Sequence, residues 1–120
     1  MKKLNSTNPE LTALIRDLKK QSTDSQTDVW RYLAERLLSS SRNRIAINVS
    51  KINRYTVEGE IVAVPGKVLG SGKATHPLTV AAFNFSGSAQ SKIQDAKGTC
   101  LSIRDLMKQN PEGKNVKVMG

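Results

Sequence analysis

The stretch VPGKVLGSGKATHP, residues 64–77, gathers residue types that hold anions: Gly66, Gly70 and Gly72, the lysines Lys67 and Lys73, and His76. Glycine lets backbone N–H groups approach an anion closely, and lysine adds mobile positive charge. Two nucleotide-binding patterns can be set against it. The phosphate loop G-x-x-x-x-G-K-[ST] finds its G-K in Gly72-Lys73. It then meets Lys67 where the first glycine belongs and Ala74 where a magnesium-binding hydroxyl belongs. The dinucleotide pattern G-x-G-x-x-G starts at Gly70 and Gly72 and meets Thr75 in place of the third glycine. Both fail at positions with a physical task. Two readings remain: a backbone grip on some other phosphate polymer, or a tight connection whose glycines satisfy turn geometry.

Other chemistry is sparse. His76 is the single histidine and Cys100 the single cysteine, so a metal site on either lacks the spaced ligands it needs. No G-x-S-x-G elbow accompanies His76. The ten acids form no paired motif, and Asp24 and Asp28 read as helix-start or surface groups. One cysteine allows no internal disulfide, which fits a reducing compartment. The opening MKKLNSTNPE has two lysines but no apolar run, so no secretory signal is expected, and no stretch approaches the ~20 apolar residues of a membrane span.

Charge gives the direction. With 19 Lys+Arg against 10 Asp+Glu, the 120-residue chain carries +9. Such an excess repels itself unless an anionic partner relieves it; nucleic acid is the first candidate and an acidic membrane surface the second. The bases are also segregated. Arg36, Arg42, Arg44, Lys51 and Arg54 fall in a window, 36–57, without an acid; Lys67, Lys73 and Lys92 fall in another, 61–94. A basic surface without interspersed acids suits a polyphosphate, because each neutralised phosphate releases condensed counterion. The aromatics are few: Trp30, Tyr32, Tyr55, Phe83 and Phe85. Trp30, Phe83 and Phe85 sit in core-like patterns, so contact with backbone and folded shape is expected over stacking on splayed bases.

The elements that must position these residues follow from periodicity. Residues 1–7 are basic and polar and read as an arm carrying Lys2 and Lys3. Asn8-Pro9-Glu10 starts a helix, and Leu11, Leu14, Ile15 and Leu18 form its apolar stripe, ending near Lys19-Lys20-Gln21. After a polar connection over 22–28, Trp30, Leu33, Ala34, Leu37 and Leu38 form a second stripe; the two helices should cover one side of a sheet. Ile45, Ile47 and Val49 alternate as a strand, and 61–64 reads as a buried strand, with Pro65-Gly66 opening the loop. Leu78–Phe85 is a further strand. Ser86 caps a helix that Gly98 stops, Thr99–Leu101 is a short strand, and Ser102 with Asp105 resembles a capping box. Asn110–Gly113 is a turn before a last strand at Val116 and Val118. The pattern predicts one α/β domain: helices over 8–40, then short strands alternating with helices over 45–120.

Several stretches together resemble one family. TNPEL at 7–11, NVSKINRYT at 48–56, VPGKVLGSG at 64–72, HPLTVAAFNFS at 76–86 and NPEG at 110–113 are similar, in order, to the archaeal and eukaryotic large-subunit ribosomal protein eighteen (e-type), related to bacterial ribosomal protein fifteen. The resemblance implies a structural protein of the large ribosomal subunit bound to its rRNA, beside neighbouring ribosomal proteins in the cytoplasm. It implies an α/β core of irregular winding preceded by helices. It also implies no enzymatic activity, no cofactor, no metal, no membrane and no small-molecule substrate. Carried onto positions, it points to Asn48, Ser50, Lys51, Asn53 and Arg54, and to Pro65, Gly66, Lys67, Gly70, Ser71, Gly72, Lys73 and His76. Arg42 and Arg44 join from charge alone. Lys92, Lys97, Lys108 and Lys117 read as solvated surface. The alternatives are a non-ribosomal RNA-binding or RNA-chaperone module and a nucleotide-dependent enzyme.

Overall fold

The computed structural model describes residues 9–39 and 45–119. The first helix, α1 (Pro9–Ser25), buries Leu11, Leu14, Ile15 and Leu18, the stripe expected from the sequence. It runs past Gln21 because its polar end bonds back onto itself. Thr23 donates to the Lys19 carbonyl and Ser25 to that of Gln21, while buried Ser22 donates to the Thr27 carbonyl. Gln26, at φ 56°, then turns the chain into α2 (Asp28–Ser39), which packs Trp30, Leu33, Ala34 and Leu37 against α1.

The sheet comprises β1 (Ile45–Asn48), β2 (Ile61–Leu69), β3 (Thr79–Phe85), β4 (Thr99–Ser102) and β5 (Val116–Val118), and every pairing is parallel. β2 and β3 pair at the centre, and β4 lies outside β3. The other edge of β2 is shared: β5 pairs its first half at Ile61–Ala63, and β1 its second half at Gly66–Leu69. Both faces are covered, as a parallel sheet requires. Ala63 and Ala81 lie under α1, α2 and α5 (Ile103–Gln109); their small side chains allow the helices close approach. Val62, Val64, Val68, Val80 and Ala82 meet the opposite layer, α3 (Val49–Arg54) and α4 (Gly87–Asp95).

Three local differences from the sequence reading have physical causes. Pro65 and Gly66 do not open a loop; they are buried within β2, at a bulge where the register with β3 shifts between Val64 and Lys67. Proline is tolerated in a strand at such an irregularity. Val49 does not extend β1 but begins α3. The stop of α4 uses Lys97, at φ 67°, as its left-handed residue, with Lys97 N–H bonding to Gln94 and Gly98 N–H to Ile93. Gly98 is needed for space instead: a Cβ there would lie 2.6 Å from the Leu78 carbonyl oxygen. The two predicted caps do form, Ser86 accepting from Ala89 N–H and Ser102 from Asp105 N–H.

The winding is regular except at one connection. α3, α4 and α5 carry the chain from β1 to β2, β3 to β4 and β4 to β5. Between β2 and β3 there is no helix, although Thr79 pairs with Ile61 at the far end of β2 from Leu69. The chain must therefore return the length of β2, about 26 Å at ~3.3 Å per residue. A helix of residues 70–78 would cover only about 13 Å, so the segment runs extended.

Candidate nucleic-acid interface

That extended crossover, residues 70–78, is the glycine-rich segment singled out above, and it lies against α3 and α4. Gly70 fits tightly: a Cβ would meet Ser88 Oγ at 1.9 Å. Gly72 sits at φ +94°, and a Cβ there would lie 2.2 Å from Cβ of Ser50. Ser50 N–H donates to the Ser71 carbonyl at 3.1 Å. Asn53 accepts from both the backbone N–H and the hydroxyl of Thr75, at 2.9 and 3.1 Å. Buried Thr56 gives its one hydroxyl proton to the Ile52 carbonyl at 2.7 Å, so it accepts from His76 Nε2 at 2.9 Å, and that nitrogen carries a proton. Lys92 of α4 donates to the carbonyls of both Gly70 and Gly72.

The structure thus brings Ser50, Lys51, Asn53 and Arg54 on α3 together with Gly70, Ser71, Gly72, Lys73 and His76 on the crossover. Asn48, the last residue of β1 and the cap position before α3, stands beside them, exposed, with no capping bond from its side chain. Lys67 is set apart on β2, in one cross-strand row with Ala46 and Asn84, all three exposed. Pro65 and Gly66 are buried and offer no surface. Lys2, Lys3, Arg42 and Arg44 lie outside the described residues.

Ion pairs are unevenly distributed between the two faces. On the α1–α2–α5 side Arg104 and Arg16 pair with Asp17 and Arg31 with Asp28, while Lys19, Lys20 and Lys108 form no ion pair among the described residues. Arg104, its strongest hydrogen-bond partner, holds the Asp17 carboxyl below the usual range. At the Val57–Glu60 turn, Glu60 is held low, first by the Val57 N–H and then by Lys117. Lys51, Arg54, Lys67 and Lys73 are exposed and form no ion pair among the described residues. A cation without an acidic neighbour keeps its full field for an external anion.

Two lysines read as solvated surface have fixed partners that the sequence did not show. Half-buried Lys92 ties down two crossover carbonyls, and Lys117, exposed as expected, bonds the Tyr55 carbonyl at 2.9 Å and pairs with Glu60. Nothing in their immediate sequence distinguishes them, since their partners lie 20 or more residues away.

Other chemistries lack parts. A phosphate loop joins a strand to a helix, whereas this crossover leads into β3. Burial raises the Cys100 thiol's pKa, which disfavours the thiolate that would act as nucleophile or ligand. Among the described residues no cluster of His, Cys, Asp or Glu could hold a metal ion, and no helix is long and apolar enough to cross a membrane.

Comparison with known proteins adds a second line of evidence. Residues 1–120 match the family described as ribosomal protein 60S L18 and 50S L18e. The chain is 50% identical over 113 residues to large ribosomal subunit protein eL18 of Methanoregula boonei, covering 94% of this chain and 93% of that protein. It is 48% identical over 117 residues to the eL18 protein of Methanosphaerula palustris (98% and 97% covered). It is 45% identical over 119 residues to that of Methanothermobacter thermautotrophicus (99% and 98% covered).

Proposed function

Because this chain belongs to the family of ribosomal proteins 60S L18 and 50S L18e, we propose that it is a structural constituent of the large ribosomal subunit and holds large-subunit rRNA on the face built from α3 and the crossover. The observation that carries the reading is the set Lys51, Arg54, Lys67 and Lys73, exposed and without ion-pair partners among the described residues, on a rigid mount. Arginine clamps phosphate oxygens in a fork, lysine acts as a point charge, and Asn48 can bond a ribose 2′-hydroxyl. By sequence, Lys2, Lys3, Arg42 and Arg44 add to the net positive charge offered to the rRNA.

In this reading the protein works by scaffolding. It carries out no reaction and needs no cofactor; its partners are rRNA and neighbouring large-subunit proteins, and its place is the ribosome in the cytoplasm. The crossover is already fixed by α3 and α4, so docking spends little ordering entropy on it. The test is sedimentation of the tagged full chain, in its own cell, through a sucrose gradient. The protein is expected in the large-subunit peak. Recovery only in light fractions with other RNAs would favour an RNA chaperone and overturn the assignment.

A further inference from the structure

Three consecutive crossover carbonyls, those of Gly70, Ser71 and Gly72, are tied to α3 and α4. Gly70 and Gly72 C=O go to the Lys92 ammonium, and Ser71 C=O goes to Ser50 N–H. In a trans peptide the N–H lies opposite the C=O of the same plane. The N–H groups of Ser71, Gly72 and Lys73 therefore point away from Lys92, Ser50 and Lys92 respectively. All three residues are exposed, and none of the three N–H groups finds an acceptor among the described residues.

Resting on the function proposed above, we propose that these three consecutive N–H groups form a binding site for phosphodiester oxygens of rRNA, and that Lys92 is its positioning residue. Lys92 does not touch the RNA. Its ammonium binds the carbonyls of Gly70 and Gly72 and so fixes the peptide planes that carry the Ser71 and Lys73 N–H donors; Ser50 fixes the plane of the Gly72 N–H, and Lys73 supplies charge beside them. Gly72 is the only crossover residue with φ in the left-handed region, and with a Cβ it could not lie against Ser50. The site asks nothing of base identity, since it reads only the anionic backbone.

The experiment pairs hydrogen exchange with binding, using the full chain and protein-free large-subunit rRNA. Free, the amides of residues 71–73 should exchange quickly; bound, they should be protected. Lys92→Met should weaken binding about tenfold, the size of one charge-assisted hydrogen bond lost. Its log–log salt slope should stay that of the unaltered protein, and Lys92→Arg should restore affinity. Lys73→Ala, by contrast, should reduce the slope by roughly 0.7–0.9, one phosphate contact. A slope reduced equally by Lys92→Met would make Lys92 a direct contact and overturn its role. Bound protein with unprotected 71–73 amides would overturn the site even if Lys92→Met failed to fold, because that arm uses the unaltered chain. Absence of any rRNA binding by the unaltered chain would instead sink the proposed function, and this site with it.

Discussion

Single positions here serve packing and binding at once, and the glycines show which duty comes first. Gly72 has both a left-handed φ and a Cβ clash with Ser50. Gly72→Ala should destabilise the fold by about 1–3 kcal/mol, read as a lower denaturant midpoint. An unchanged midpoint would mean that the crossover does not lie against α3. The carboxylates make a second residue-scale prediction. Asp17 and Glu60 are held below their ordinary pKa values, so their contribution is fully present above the unfolded value and disappears as pH falls through the lower folded one. Thermal stability should therefore drop below about pH 4, and less steeply in Asp17→Asn. Superimposable pH profiles would show that the Arg104 pairing adds nothing. Asn48, Lys51, Arg54 and Lys73 were singled out in sequence by side-chain type, and the structure leaves all four exposed. The latching of Lys92 was not, because a lysine's partner is set by tertiary distance and leaves no local pattern.

Among elements, the long amphipathic helices were the most legible. α1 and α2 declare themselves by stripe, and their packing over Ala63 and Ala81 follows. Their attachment to the 110–113 turn was not legible. Fully buried Trp30 donates its indole N–H to the Pro111 carbonyl at 2.8 Å, and Gln21 donates to the same oxygen at 2.9 Å. Thr27 reaches the Glu112 carbonyl at 3.0 Å. Leu37→Ala, in the core of that helix pair, should cost about 2–5 kcal/mol by calorimetry or denaturant titration. A loss below 1 kcal/mol would say that the helical layer is loosely docked. The crossover was the least legible element. Its glycines looked like turn punctuation, whereas the parallel pairing of β2 with β3 stretches it along the sheet. Pro65-Gly66 misled for a related reason: a buried bulge in a central strand carries the same residues as a turn.

At the scale of the molecule, acids and ion pairs are unevenly placed across the sheet. Among the described residues, Arg16, Arg31 and Arg104 pair with acids on the α1–α2–α5 layer, where Lys19, Lys20 and Lys108 stay unpaired, while Lys51, Arg54, Lys67 and Lys73 stand unpaired on α3, β2 and the crossover. That placement lets part of a net charge of +9 face an external anion without acidic neighbours. The acid-free windows in the sequence foretold the basic surface; only the fold shows that α3 and the crossover meet. Affinity for large-subunit rRNA should fall linearly on a log–log plot as salt rises, by roughly 0.7–0.9 per neutralised phosphate. Lys51→Ala should lower that slope and Lys108→Ala should not. A flat salt response would leave the cations without a role.

The most direct measurement is ultraviolet cross-linking of assembled large subunits, with nucleotide adducts mapped onto this chain by mass spectrometry. Adducts are expected within residues 48–55 and 67–76. Adducts confined to α1, α2 and α5, with those two segments bare, would contradict the account.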